Sequence, residues 1–180
     1  PSCRDIVEVG CGDWATTRLM RLMPSQTYTG YDIVPEVIAR NTECFENDTT
    51  RFVCADFLEE LPKEADLLIV KDVLQHLSNA SVLRFMDRVL PRYRHAVIVN
   101  DVRKYEDRVF LGIPIGRRDI QKYNADILDG GSRPLCLDMP PFLLPVAERL
   151  SYRVTLRAGA SRITFVKDLL VWTRQTPIPR

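Results

Sequence analysis

Acidic side chains recur in this chain where a nucleotide would need hydrogen-bond acceptors. Glu8 precedes the turn Gly10-Cys11-Gly12, Asp32 stands twenty positions after Gly12, and Asp56, Asp72 and then His76 follow. A turn of this kind offers unpaired N–H groups and room for a ligand. An acid about twenty residues further on can accept from ribose hydroxyls. His76 carries an imidazole that could take a proton from a nucleophile. Each residue also has a plainer role: Asp32 and Asp56 could cap turns, Asp72 could charge a helix start, and Trp14 could simply pack.

The elements that would position these residues follow from local pattern. Ile6, Val7 and Val9 make a β-branched run, as in a strand covered on both faces. Residues 15–23 have helical spacing, with Leu19, Met20, Leu22 and Met23 apolar, so a first helix is expected there. Residues 27–34 read as a second strand tipped by Asp32, and Pro35 suits the first turn of the next helix. Residues 51–55 read as a third strand, tipped by Asp56 and Phe57, with a short helical piece expected near 58–62. The unalternated run 65–70 suits a central parallel strand leading into Lys71 and Asp72. Ser78 could cap a helix striped by Val82, Phe85, Met86 and Val89, which Pro91 ends. Residues 95–101 form a fifth strand with Asp101 at its tip, and 146–156 and 168–174 read as an antiparallel edge pair.

Strands alternating with helices argue for an α/β fold, a doubly wound, mostly parallel seven-stranded sheet with an antiparallel edge strand. Every chemistry-bearing residue then falls at or just past a strand's C-terminal end, where open α/β sheets bind ligands. Residues 1–180 are expected to form one domain. Residues 102–145, rich in charge, Gly and Pro yet too apolar to stay unfolded, read as an irregular insertion on the substrate side.

Composition narrows the class. Hydrophobic residues make up 46% and charged residues 27%, and no apolar run approaches a membrane span, so no membrane role is expected. The five cysteines are scattered without metal-ligand spacing, which fits reduced thiols in the cytoplasm and no metal. The chain opens almost on its first strand and without Met, so further residues upstream are expected. Net charge is −6 over residues 1–90 and +7 over 91–180, as a cationic ligand on one side and an anionic one on the other would favour. No basic tract interleaved with aromatics supports nucleic-acid binding.

Gly10 to Ala15 also satisfies the GxGxxA form of a dinucleotide turn, which leaves a nicotinamide-dependent oxidoreductase as an alternative. Two features oppose it: Glu8 stands at a position usually apolar in such turns, and a nicotinamide site does not require Asp56. The series Glu8-Val9-Gly10-Cys11-Gly12, Tyr31-Asp32-Ile33, Ala55-Asp56-Phe57 and Lys71-Asp72-Val73-Leu74-Gln75-His76-Leu77 resembles the class I S-adenosylmethionine-dependent methyltransferases. It is similar in particular to a small bacterial-type group of unassigned substrate. The departure is Trp14, where the family carries a third glycine.

The resemblance implies S-adenosyl-L-methionine as cofactor and a role for each matching residue. Glu8 would attract the cofactor's positive end, Gly10 and Gly12 would let the methionine part pass, and Trp14 would stand beside it. Asp32 would hold the ribose, Ile33 would pack on adenine, Asp56 and Phe57 would take the adenine edge, and Lys71 and Asp72 would lie at the methyl-donor end. For catalysis, His76 is the first candidate base and Asp101 the second. Arg117, Arg118 and Arg133 are available for an anionic substrate group. The expected reaction is methylation of a small molecule on oxygen, with a non-catalytic cofactor-binding or partner-binding subunit as the other alternative. Met139-Pro140-Pro141-Phe142 is similar to an amine-holding motif, but that motif should follow the fourth strand, and here Lys71-Asp72 does.

Overall fold

The computed structural model describes residues 3–110, 113–119, 123–158 and 161–174, side chains excepted at 104–119, 158, 161 and 162. Eight strands build one sheet: β1 (Asp5–Val9), β2 (Thr27–Asp32), β3 (Thr50–Cys54), β4 (Ala65–Lys71), β5 (Tyr93–Phe110), β6 (Ile113–Asp119), β7 (Glu148–Ala158) and β8 (Ser161–Thr173). Seven lie in the order β3-β2-β1-β4-β5-β8-β7, and β6 pairs with the far end of β5. The β3-β2-β1-β4-β5 half is parallel, and β5, β8 and β7 run antiparallel. The expected sheet is therefore present, with β7 as its antiparallel edge.

Both faces of β1 are covered, as its β-branched residues Ile6, Val7 and Val9 implied. Val7 and Val9 join a core with Leu68, Val70, Phe85 and Ile98, while Ile6 faces a smaller cluster with Tyr28, Ile38 and Phe52. Helix α1 (Pro35–Phe45) closes the second face and starts on Pro35, whose fixed φ suits the first helical turn. Helix α2 (Asn79–Arg84) closes the first, capped by Ser78 Oγ accepting from the Ser81 N–H, and continues through wider and tighter turns to Arg92.

Three expectations are corrected. The helix expected over 15–23 is only a short turn, Thr17–Leu19, and Leu19, Met20 and Met23 face solvent. A short helix gains most of its stability from docking an apolar face. Here Trp14 takes the docking position, its indole ring centre 5.2–5.3 Å from those of Tyr28, Phe45 and Phe52. Residues 102–119 are not irregular either, because β5 runs on to Phe110 and pairs with β6. Finally, residues 133–144 serve mainly as core: Leu135, Leu137, Phe142 and Leu144 are buried beside α2's face of the sheet.

Candidate functional site

The glycine turn leaves β1 over the end of β2, where the Gly10 and Cys11 N–H groups donate to the Tyr31 carbonyl at 2.8 and 3.0 Å. Gly10 and Gly12 have φ of 70° and 52°, the left-handed region that glycine enters without Cβ strain. At Gly10 a Cβ would also collide with Val73, whereas at Gly12 it would meet nothing within 4 Å. The turn therefore seats on the segment after β4 and stays open on its other side.

Asp32 ends β2 and holds this turn directly. Its Oδ2 accepts from the Gly12 N–H at 2.9 Å and its Oδ1 from the Val34 N–H at 3.1 Å. Each oxygen keeps a second lone pair for a ligand. Asn41 of α1, fully buried, donates to the Gly12 carbonyl at 2.7 Å and fastens the turn from below. Sequence reasoning missed Asn41. The signal was a polar residue one turn from Ile38 on the helix face that docks.

Two cavities flank the turn. The larger, about 530 Å³, is lined by Gly10, Asp32, Ile33, Asp56, Phe57, Lys71, Asp72 and His76. Eight residues expected from four strand tips are thus brought together. Val73, Leu77, Asp129 and Gly130 complete one wall. Asp56 accepts from the Leu58 N–H at 2.9 Å, so it caps the turn after β3 while facing the cavity. Phe57 packs edge-on against Phe85, which fixes its ring.

The smaller cavity, about 190 Å³, is lined by Glu8, Gly10, Gly12, Asp13, Thr17 and Lys71 among others. Glu8 is 2% exposed, and its carboxylate accepts from the hydroxyls of Thr17 and Tyr28. Burial pushes the Glu8 carboxyl up to about 7, although both hydroxyls and Lys71 pull it down. Lys71 and Gly10 belong to both cavities and join them.

Asp72 follows β4 with φ 59°, its carboxylate 2.9 Å from Lys71 Nζ and 2.5 Å from Lys167 Nζ. Burial opposes its ionisation, but the hydrogen bonds from Lys167 and Lys71 hold the carboxyl below its usual range. His76 ends the short turn Leu74–His76, with its Nδ1 2.8 Å from the Gly131 carbonyl oxygen. A carbonyl only accepts, so Nδ1 carries the hydrogen and a neutral ring leaves Nε2 with its lone pair.

Other expected residues lie elsewhere. Trp14 lines neither cavity, because its ring is committed to the aromatic cluster beneath the turn. Asp101 is not at a strand tip, since β5 continues past it. It is 8% exposed, 2.7 Å from Lys167, and lines neither cavity, so the structure does not support it as a base. Arg133, expected at a substrate anion, is 2% exposed and donates to the carbonyls of Leu74 and Gln75 and to Asn79 Oδ1. It braces the His76 turn instead, and burial holds its guanidinium below the usual range. The side chains of Arg117 and Arg118 lie outside the described residues, and their backbone belongs to β6. The Pro140 carbonyl accepts from Asn124 and Phe142 is core, so the Met139–Phe142 tract lines neither cavity.

Residues 7–93 match the family model described as a methyltransferase domain. Among curated proteins none matches the sequence. Among solved structures, TehB from Haemophilus influenzae aligns with a TM-score of 0.63 at 12% identity, over 96% of this chain and 58% of that one. Human N-acetylserotonin methyltransferase, solved with SAM, aligns at 0.60 and 16% identity over 97% and 48%. The N-methyltransferase NodS from Bradyrhizobium japonicum WM9 aligns at 0.54 and 14% identity over 94% and 86%. The chain spans between 39% and 58% of the length of several such structures, TehB and the human enzyme among them. Four strand-tip motifs meet at one cavity, residues 7–93 match a methyltransferase domain model, and the fold aligns with those of solved methyltransferases: over residues 7–93 the chain is similar to the S-adenosylmethionine-dependent methyltransferases.

Proposed function

We propose that the protein transfers a methyl group from S-adenosylmethionine to a small molecule, on an oxygen atom. The observation that carries this reading is the convergence of Asp32, Ile33, Asp56, Phe57, Asp72 and His76 on one cavity of about 530 Å³, joined through Gly10 and Lys71 to a second holding Glu8. The residues present fit the cofactor. Asp32 has lone pairs free for two ribose hydroxyls, Ile33 is 64% exposed beside it for an adenine face, and a buried carboxylate awaits a cation. Trp14 has no part in this assignment.

When bound, S-adenosylmethionine supplies an electrophilic methyl group. The chain's part is to bind and align, which is most of what an in-line displacement requires. Asp32 and the Gly12 N–H set the ribose end, and Glu8 and Lys71 set the charge at the methionine end. Phe57 and Leu58 keep water from the base. His76 Nε2, its ring oriented by Gly131, takes the proton from a hydroxyl nucleophile. We place the substrate beside residues 129–130, with residues 1–180 acting as one domain. Five free cysteines suit the cytoplasm.

The test is calorimetry with S-adenosylhomocysteine followed by turnover on a panel of hydroxyl and amine compounds. Micromolar binding and methylation of hydroxyl compounds support the reading. Turnover of amines alone overturns oxygen as the site of methylation. Binding without turnover on any compound points to a partner-binding subunit, and a shift in NADH fluorescence without S-adenosylhomocysteine binding overturns the cofactor.

A further inference from the structure

Lys167 belongs to no motif and sits 95 positions from Asp72 in sequence, yet the antiparallel sheet sets it opposite Asp101 of β5. Its side chain is 13% exposed, and Nζ lies 2.5 Å from Asp72 Oδ1 and 2.7 Å from Asp101 Oδ1. Burial favours the neutral amine, but the two carboxylates outweigh it and raise Lys167 above its ordinary value.

Each carboxylate leads to a different part of the site. Asp72 forms the corner at the end of β4 with φ 59°, and lines the larger cavity. A non-glycine residue in that region costs on the order of 1–2 kcal/mol and persists only where its surroundings hold it. Asp72 is held by its N–H donating to the Val99 carbonyl at 2.9 Å and by Lys71 and Lys167 on its carboxylate. Asp101 accepts from Gln75 Nε2 at 3.3 Å and donates its N–H to Gln75 Oε1 at 2.6 Å. Gln75 lies in the same short turn as His76.

We propose that Lys167 is a positioning residue of the methyl-transfer site: its ammonium holds the left-handed Asp72 corner that lines the larger cavity and, through Asp101 and Gln75, the turn that presents His76. Lys167 lines neither cavity, so it acts only through these neighbours. The inference rests on the cofactor assignment given above. The competing role is local: an ammonium that only neutralises the buried Asp101.

The two roles separate in a double variant. Lys167→Met alone leaves Asp101 without its cation and is expected to lower both stability and S-adenosylhomocysteine affinity. Lys167→Met with Asp101→Asn removes the orphaned charge. It is expected to recover most of the stability while S-adenosylhomocysteine still binds about tenfold more weakly than to wild type, within the range of coupled-site effects. The His76 imidazole signal, one of only two in the chain, is expected to stay shifted in the double variant. A double variant that binds as tightly as wild type, or one no more stable than the single variant, overturns the proposal. A wild-type protein that does not bind S-adenosylhomocysteine overturns the cofactor assignment and this inference together.

Discussion

A Cβ placed on Gly10 would lie 2.2 Å from Val73 Cγ2. The first glycine of the turn is therefore required by packing against the segment after β4 as well as by its φ of 70°. Gly10→Ala is expected to destabilise the protein by about 3 kcal/mol, combining left-handed strain of about 1–2 kcal/mol with overpacking. Adding Val73→Ala should recover the overpacking part and leave the strain. Denaturant titration of the four forms gives the coupling directly, and additive effects would show that the two residues do not meet.

Asp32 serves the protein and the ligand at once. Asp32→Ala strands the Gly12 and Val34 N–H groups and removes the ribose acceptor. S-adenosylhomocysteine affinity is expected to fall about 100-fold, as for one or two lost charge-assisted hydrogen bonds. Asp32→Asn keeps an acceptor oxygen and should lose less. Calorimetry showing equal affinity for the two variants would count against a ribose role.

Glu8 makes stability depend on pH in an unusual direction. Its carboxyl is raised from 4.5 to about 7 by burial, so between those values the folded protein binds more protons than the unfolded chain. The stabilising contribution is complete below about pH 4.5, declines as pH rises toward 7, and is lost above it. Relative to Glu8→Gln, the wild type should lose up to about 3 kcal/mol across that window, measured by denaturant unfolding at several pH values. A cationic ligand beside Glu8 favours its ionised form. Binding of S-adenosylmethionine near pH 6.5 should therefore release a proton, visible as a buffer-dependent calorimetric heat.

Arg133 supports a turn. Arg133→Met should cost about 1–3 kcal/mol through the side-chain bonds lost to the carbonyls of Leu74 and Gln75 and to Asn79 Oδ1, although each carbonyl keeps a backbone N–H donor, and should broaden the His76 signal. It should not change the preference between anionic and neutral substrates. A variant of wild-type stability that discriminates less against neutral compounds would restore the substrate role.

His76→Asn keeps a polar side chain in the turn but no base. Turnover of hydroxyl compounds is expected to fall about 10²-fold or more with S-adenosylhomocysteine affinity within about threefold of wild type. An equal loss of both would mean that His76 shapes the cavity and moves no proton.

Much of this arrangement was already written in the chain. Strand runs such as Ile6-Val7 and Leu67–Val70, and the acids placed at their ends, are local patterns: a parallel strand needs apolar residues on both faces, and its ligand-facing tip follows directly in sequence. Glu8, Gly10, Asp32, Asp56 and His76 were accordingly legible with their neighbours, as was the placement of the antiparallel edge.

Tertiary structure decided whatever depended on a partner distant in sequence. The pattern of residues 15–23 suits a helix as well as it suits a turn, and only the seat taken by Trp14 among Tyr28, Phe45 and Phe52 settles between them. Asp101 could be read as a strand tip until β8 and β6 extended β5 beyond it. Arg133 and Lys167 carry the same formal charge as any surface cation, and burial against the carbonyls of Leu74 and Gln75, or between Asp72 and Asp101, is what gives each its role. Periodicity and residue type are properties of the chain, but the partner that desolvates and neutralises a charge is a property of the fold.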